Sequence, residues 1–295
     1  MKKIVFKGAA VALVTPMHDD GSINYEVLEE LIEYQIKNHT DAIVTCGTTG
    51  ESATLSKKEH SEVIKFTVEK VAGRVPVIAG TGSNNTEHAL SLSKNAQNLG
   101  VDALLVVTPY YNKTSQKGLI EHYNYIADRV DLPIITYAVP SRTGVFIKPE
   151  TYFELSKHPN IVATKEASGN ISDIAKIKAF CGDSLHIYSG NDDQILPVMS
   201  LGGLGVISVF SNICPRECHD ITEEFFNGNL AQSRELFIRY LNLMNELFCD
   251  VNPIPVKEAL NEMGYNCGRC RLPLVPLSEQ NRKNLKELMR GYNLI

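Results

Sequence analysis

A strand–helix–strand unit can be recognised in residues 101–137, VDALLVVTPYYNKTSQKGLIEHYNYIADRVDLPIITY. Residues 103–107 and 134–137 are apolar runs of strand length, and residues 115–130 between them have the apolar spacing of a helix. Runs that no polar residue interrupts are typical of parallel strands buried on both faces, and parallel strands are usually joined by a crossover helix. This stretch therefore predicts one unit of a parallel sheet.

The same alternation extends in both directions along the chain. Six further apolar runs of strand length lie at residues 9–14, 42–46, 75–79, 161–164, 185–188 and 206–209. Further helical patterns lie at residues 24–38, 56–71, 86–99, 148–156, 172–180, 194–201 and 215–226. Eight strand–helix units favour an α/β fold of the closed (β/α)8 TIM-barrel type over an open doubly wound sheet.

The last part of the chain has a different pattern. Residues 229–295 contain no strand candidate, and residues 231–249, 256–263 and 279–291 have helical spacing. We therefore expect a catalytic barrel at residues 1–228 and a C-terminal helical extension at residues 229–295. Without a flexible linker between them, the extension should pack on the barrel or on another subunit.

Composition excludes several classes of function. Of 295 residues, 43% are hydrophobic and 21% charged, as in ordinary globular proteins. The net charge of −5 argues against nucleic acid as the main partner, because phosphate binding requires a basic surface. No window approaches the ~20 apolar residues that span a bilayer, and the first residues fit a signal peptide poorly. We expect a cytoplasmic protein that does not bind membranes.

Seven cysteines raise the question of a metal site. Cys214 and Cys218, and Cys267 and Cys270, resemble two halves of a zinc site. However, the pairs lie about 50 residues apart, and the first lacks the usual spacing. We expect reduced thiols and no metal, although the role of Cys267 and Cys270 stays open.

Lys165 is the sharpest candidate for chemistry. It directly follows the sixth apolar run, and catalytic groups of a (β/α)8 barrel lie at the carboxyl ends of the strands. Partial burial there should lower the pKa of its amine and make it a nucleophile. The alternative is a lysine whose ammonium group extends to solvent.

Other polar residues follow neighbouring strands. The turn at residues 47–52 offers backbone N–H groups and the hydroxyls of Thr48 and Thr49 to an anion such as a carboxylate, although it could be an ordinary turn. Tyr137 ends the fifth strand, and Arg142 in the loop beyond it could bind a carboxylate or be a solvated surface charge. Tyr110 and Tyr111 are adjacent and cannot both point inward.

Three motifs together resemble those of a known family: Gly47-Thr48-Thr49-Gly50-Glu51, Tyr137-x-Val139-Pro140-x-Arg142-Thr143-Gly144 and Lys165-Glu166. They are similar to the dihydrodipicolinate synthases, members of the pyruvate-dependent class I aldolase superfamily that includes N-acetylneuraminate lyase. The resemblance covers nearly the whole chain, through Asn252-Pro253-Ile254-Pro255-Val256-Lys257.

This resemblance implies a lyase that condenses pyruvate with aspartate 4-semialdehyde in the diaminopimelate route to lysine. It implies an oligomer and no cofactor beyond a covalent Schiff base with pyruvate. We expect a homotetramer built from two tight dimers, and the choice between dimer and tetramer stays open. By this resemblance, Lys165 forms the Schiff base, Tyr137 shuttles protons, and Thr48 links Tyr137 to Tyr111 of a neighbouring subunit. Thr49 binds the pyruvate carboxylate and Arg142 binds the carboxylate of the semialdehyde. Gly190 and Ile207 line the pocket through backbone groups.

Two departures from the family pattern accompany this resemblance. Ala138 replaces the usual asparagine, with an effect that stays open. The pocket that binds lysine in lysine-sensitive members is matched at Ser52, Ala53, His60, Asn84 and Tyr110, but Lys57 and His88 replace a histidine and a glutamate. A cationic Lys57 should repel lysine, so we expect weak or absent inhibition and describe the pocket as vestigial.

Two alternative functions remain. One is an N-acetylneuraminate lyase or a 2-keto-3-deoxy sugar-acid aldolase on the same scaffold, against which Arg142 argues. The other is a non-catalytic barrel that binds a keto acid, because a fold alone does not determine a function. The joint presence of Lys165, Tyr137, Thr48 and Tyr111 argues against that second alternative.

Overall fold

The computed structural model describes residues 2–295, and within them eight parallel strands close into a barrel. The strands are β1 (Gly8–Ala12), β2 (Ala42–Thr45), β3 (Val77–Gly80), β4 (Ala103–Val107), β5 (Ile134–Ala138), β6 (Ile161–Glu166), β7 (His186–Ser189) and β8 (Gly205–Ser208). Pairing of β1 with β8 completes the ring, with Gly8 opposite Gly205. The predicted (β/α)8 TIM barrel is confirmed.

Helices surround the strands and continue beyond them. They are α1 (Tyr25–Lys37), α2 (Lys57–Val71), α3 (Thr86–Asn98), α4 (Gln116–Ala127), α5 (Pro140–Thr143), α6 (Pro149–Ser156), α7 (Ile171–Cys181), α8 (Ile195–Ser200), α9 (Pro215–Phe226), α10 (Leu230–Glu246), α11 (Ile254–Glu262) and α12 (Glu279–Gly291). At the start of α2, the Ser56 hydroxyl accepts from the Glu59 N–H at 3.2 Å, and the Glu59 carboxylate accepts from the Ser56 N–H at 2.8 Å. This reciprocal capping satisfies two N–H groups that the helix leaves free.

The strand β6 runs two residues further than its apolar run predicts. Lys165 and Glu166 both belong to it, because they continue the register with Tyr137 and Ala138 of β5. Side chains alternate along a strand. Lys165 therefore lies on the same face as Ala163, which packs inside the barrel, and Glu166 points to the surrounding helices.

The segment after β5 differs from the prediction. Arg142 was expected in a loop, but it lies on the one-turn helix α5, which begins at Pro140 and is followed by Gly144 at φ +66°. Proline suits the first turn of a helix because its missing N–H would have no partner there. Four residues are too few for a periodic pattern, so apolar spacing cannot predict this helix.

The C-terminal helices pack against the barrel and each other. α10 contacts α9, and α12 contacts both α10 and α11. The start of α11 lies beside the turn that follows β2, as the contacts of Asn252 and Lys257 described below establish. The division at residue 228 stays a prediction. Within residues 2–295, no helix combines the length and the apolar character needed to cross a membrane.

Candidate active site at the barrel mouth

Lys165 and Tyr137 form the centre of the candidate site. Their Cα atoms are paired across β6 and β5, and the Lys165 Nζ lies 4.6 Å from the centre of the Tyr137 ring. Lys165 is 5% exposed and Tyr137 is 7% exposed. The structure therefore places a lysine amine in a nearly closed position beside a phenol.

Burial changes the acid–base behaviour of Lys165. Burial lowers the pKa of the amine, the carboxylate of Asp192 raises it, and the nearby charge of Arg142 lowers it, so that the resulting pKa is about 8. An amine with this pKa is partly unprotonated near neutral pH, as a nucleophile must be. The snorkelling alternative does not describe this lysine, because its side chain stays inside the barrel.

Gly190 leaves the space that the Lys165 side chain occupies. A Cβ atom at position 190 would lie 3.1 Å from Cε of Lys165 and 2.7 Å from Cβ of Ala167. The Gly190 N–H donates to the Glu166 carbonyl at 2.8 Å. Ile207, the other predicted pocket residue, is fully buried on β8 opposite Ala10.

Tyr137 is held as a neutral phenol. Burial raises the pKa of its hydroxyl, and the Thr48 hydroxyl and the Arg142 charge oppose that rise. A neutral phenol can both donate and accept a hydrogen bond. The effect of the Thr48 hydroxyl on this pKa shows that Thr48 lies beside the Tyr137 hydroxyl.

Thr49 and Arg142 are linked by a residue that sequence reasoning missed. The Asn252 side-chain amide donates to the Thr49 hydroxyl at 3.0 Å, and the Asn252 carbonyl accepts from Nη2 of Arg142 at 3.0 Å. Asn252 lies immediately before α11, in the stretch of the C-terminal segment that resembles the family. Its place in that stretch could have suggested a functional role, but no neighbouring residue in the sequence indicated its contacts with Thr49 and Arg142.

Two buried carboxylates near Lys165 were also missed. Asp192 accepts from the N–H groups of Val209 and Phe210 at 3.0 and 2.9 Å, while its other oxygen has no hydrogen-bond partner among the described residues. Glu166 accepts from the Tyr152 hydroxyl at 2.7 Å. Glu166 ends β6 and Asp192 follows β7. Both therefore lie at the mouth of the barrel, where the catalytic residues of this fold are found.

A cavity of about 420 Å³ opens beside the turn that follows β2. Its wall includes Thr48, Arg142 and Asn252. Lys165 and Tyr137 are buried and are not part of that wall. The cavity thus gives a small molecule access to Thr48, Arg142 and Asn252.

The same cavity extends to residues of the predicted lysine pocket. Its wall contains Ser52, Ala53, His60, His88 and Tyr110. Two other members of that prediction lie elsewhere. The Asn84 carbonyl accepts from the Asn112 amide at 2.9 Å, and Lys57 is exposed with its Nζ 3.4 Å from the Ser91 hydroxyl.

Tyr111 does not take part in the site of its own chain. Its side chain is 90% exposed, and its backbone has a φ of +69°. Residues other than glycine adopt positive φ at a cost and do so mostly where function or packing requires it. An exposed, conformationally constrained tyrosine is what a contribution to a neighbouring subunit would need.

The cysteines form no disulfide in the described chain. Burial raises the pKa of the Cys267 and Cys270 thiols to about 12, so both are protonated near neutral pH. His219, Asp220 and Glu223 lie close enough together to share a cation, but His219 already pairs with Asp41 at 3.0 Å. The prediction of a metal-free protein stays a prediction.

Comparison with known proteins gives one consistent result. The model of the dihydrodipicolinate synthetase family matches residues 5–291. The 4-hydroxy-tetrahydrodipicolinate synthase of Caldicellulosiruptor saccharolyticus is 58% identical over 290 residues, which are 98% of each chain. The crystal structure of dihydrodipicolinate synthase from Aquifex aeolicus is 46% identical, with a TM-score of 0.96 over 98% of this chain and 99% of that one. The chloride-inhibited dihydrodipicolinate synthase from Acinetobacter baumannii, complexed with pyruvate, is 44% identical, with the same TM-score and the same coverage.

Proposed function

Because this chain belongs to the dihydrodipicolinate synthetase family, we propose that it joins pyruvate to L-aspartate 4-semialdehyde on Lys165. Its activity is that of the 4-hydroxy-tetrahydrodipicolinate synthases, which are lyases of the diaminopimelate route to lysine. The observation that best supports the role of Lys165 is its burial beside Tyr137, with a pKa lowered to about 8.

The first step is attack of the Lys165 amine on the keto carbon of pyruvate, with loss of water. The product is a protonated imine, which withdraws electrons from the neighbouring methyl carbon. Thr49 holds the pyruvate carboxylate in this proposal, and Asn252 orients the Thr49 hydroxyl. The space beside Gly190 lets the lysine side chain reach the substrate.

The second step is loss of a methyl proton, which turns the imine into an enamine. Tyr137 transfers protons in this proposal, and Thr48 connects it to Tyr111 of a neighbouring subunit. The 90% exposure of Tyr111 in a single chain supports this arrangement. It requires at least a dimer, and we propose a homotetramer of two tight dimers, since closed symmetry is the usual outcome.

The third step is attack of the enamine carbon on the aldehyde carbon of aspartate 4-semialdehyde. Arg142 binds the carboxylate of the semialdehyde, and its contact with the Asn252 carbonyl fixes the direction of the guanidinium group. The amino group of the bound semialdehyde then displaces Lys165 from the imine carbon and closes the ring. No other cofactor is needed, because the protonated imine is the electron sink.

Two alternatives have less support. An N-acetylneuraminate lyase or sugar-acid aldolase would not explain Arg142 beside the cavity, and the curated relatives carry the synthase name. A non-catalytic keto-acid-binding barrel would not require a buried lysine amine with a lowered pKa. A cytoplasmic location stays a prediction from the sequence.

The test is chemical trapping. The purified protein is incubated with pyruvate and borohydride, and the adduct is located by peptide mass spectrometry. We expect a reduced pyruvyl group on Lys165 and none in a Lys165→Met variant. As a control, Lys157→Met changes an exposed lysine that pairs with Glu154, and it should leave trapping unchanged. Adducts scattered over surface lysines would contradict the proposal and favour the binding barrel.

A further inference from the structure

Glu51 and Lys257 form an ion pair inside the protein. Oε1 of Glu51 lies 2.9 Å from Nζ of Lys257, and each side chain is 2% exposed. Lys257 belongs to α11 of the C-terminal segment, and Glu51 ends the turn that carries Thr48 and Thr49. The pair therefore joins the segment to the candidate active site.

Every donor of the lysine is used. Besides Glu51, the Lys257 Nζ donates to the carbonyls of Arg269 at 2.9 Å and Thr15 at 3.2 Å. An ammonium group has three N–H donors, so this one is fully satisfied. The second carboxylate oxygen of Glu51 accepts from the Arg271 N–H at 2.9 Å. A buried ion pair with complete hydrogen bonding defines one geometry, since any shift would leave a charge unpaired.

The turn itself is held in a demanding conformation. Glu51 has a φ of +55°, and its N–H donates to the Thr48 carbonyl at 3.1 Å. The Thr15 hydroxyl donates to the Gly50 carbonyl at 2.7 Å. A residue other than glycine stays at positive φ only where its surroundings enforce it. Lys257 supplies that constraint, both by binding the Glu51 carboxylate directly and by binding the Thr15 carbonyl.

We propose that Glu51 and Lys257 are positioning residues that hold Thr48 and Thr49 in the geometry required for pyruvate binding and proton transfer. This inference rests on the proposed function, since it takes the roles of the two threonines from there. Neither charged residue touches the substrate in this proposal. Their effect reaches the substrate through the backbone of the turn, two and three residues upstream of Glu51.

The test compares Glu51→Gln, Lys257→Met and the double variant. Two quantities are measured: the thermal midpoint of unfolding, and the pyruvate concentration that gives half-maximal trapping on Lys165. Trapping is measured at a temperature at which circular dichroism shows each variant to be folded. Each single variant leaves a buried charge unpaired and should melt at a lower temperature. Each should also need more pyruvate, by up to about 100-fold, because small misplacements of binding groups have effects of this size.

The double variant separates positioning from stability. It leaves no unpaired charge, so its thermal midpoint should recover toward the wild-type value. Its pyruvate requirement should stay raised, because the ionic link to the turn is still missing. Return of both quantities to wild-type values would overturn the inference and leave the pair a purely stabilising role.

A matched control comes from the same segment. Lys286 of α12 pairs with Glu262 of α11 at 2.8 Å. Both side chains are partly exposed, and neither contacts the turn. Lys286→Met should leave the pyruvate requirement unchanged. If the wild-type protein forms no adduct, the proposed function fails and this inference with it. If the wild type forms the adduct and the variants form it at the same pyruvate concentration, only the positioning inference fails.

Discussion

Lys165 and Asp192 are electrostatically coupled inside the barrel: burial lowers the pKa of the lysine amine, and the Asp192 carboxylate raises it. The carboxylate is held by two backbone N–H groups, from Val209 and Phe210, so its position relative to the lysine is fixed. The pKa of Lys165, about 8, is the balance of these opposing effects.

The first prediction concerns pH. Only the unprotonated amine attacks a keto carbon, so the trapping rate at Lys165 should rise with pH and level off above about 8. Asp192→Asn removes a negative charge that raises the lysine pKa, so the inflection should move to lower pH. The trapping rate measured from pH 6 to 10 in both proteins checks this. An inflection that stays in place or moves upward would contradict the coupling.

The second prediction concerns the space beside the lysine. In Gly190→Ala, the added methyl group would lie 2.7 Å from Cβ of Ala167 and 3.1 Å from Cε of Lys165, so the loop must shift and the lysine must give way. We expect a loss of about 1–3 kcal/mol in the free energy of unfolding and slower trapping. Chemical denaturation and trapping kinetics measure these quantities. Gly291→Ala is the control, since its added methyl group meets nothing within 4 Å; it should leave trapping unchanged and should not lower the free energy of unfolding.

The third prediction separates the two substrates. Arg142→Ala should lower kcat/KM for the semialdehyde by about 10- to 100-fold, because hydrogen bonds to charged groups contribute about 1.5–3 kcal/mol. Pyruvate trapping on Lys165 should change far less. Arg142→Lys should restore the semialdehyde reaction poorly, since an ammonium group lacks the bidentate geometry. Equal losses of both steps would remove Arg142 from the role proposed for it.

The fourth prediction concerns the neighbouring subunit. If Tyr111 completes the site of a partner, an inactive Lys165→Met chain and an inactive Tyr111→Phe chain should complement each other. A mixed dimer has one site with both native residues, so random mixing should restore about a quarter of the wild-type activity in a two-fold symmetric dimer. Co-expression with two affinity tags and an activity assay tests this. Absence of complementation in a mixed dimer that is shown to form would place Tyr111 outside the neighbour's site.

The fifth prediction concerns lysine. We expect weak or absent inhibition, because the expected carboxylate is replaced by His88 in the cavity wall. The Lys57→His and His88→Glu changes together should lower the inhibitory lysine concentration at least about fivefold, since an ion pair at close range contributes about 1 kcal/mol even in water. Inhibition curves for both proteins decide this. Strong inhibition of the wild type at low lysine would refute it.

The strands were predictable because both of their faces are buried. Such burial leaves uninterrupted apolar runs. Those runs predicted the number and order of the strands correctly, and they placed the ends of each strand to within one or two residues. The end of β6 was misplaced because Lys165 and Glu166 are polar and yet continue the ladder with β5. An apolar pattern places the end of a strand at the first polar residue, so it cannot include polar residues that continue the strand.

The central residues of the site were predictable, but the contacts that hold them were not. Lys165, Tyr137 and Arg142 follow or end strands, and the (β/α)8 fold brings such positions together. By contrast, Asn252 and Lys257 reach Thr49 and Glu51 across 203 and 206 residues of chain. From sequence alone, Lys257 is an ordinary polar residue of an amphipathic helix, because nothing nearby indicates that its ammonium group is buried.

The late position of Asn252, Lys257 and Arg271 in the chain has a consequence for biosynthesis. A ribosome releases the strands of the barrel first, while the residues that bind Thr49 and Glu51 are still unmade or within its exit tunnel. The barrel can thus begin to fold during translation, but the turn at residues 47–52 cannot acquire its final contacts until residue 271 has emerged. Catalytic competence therefore cannot precede the synthesis of residue 271, however early the barrel begins to fold.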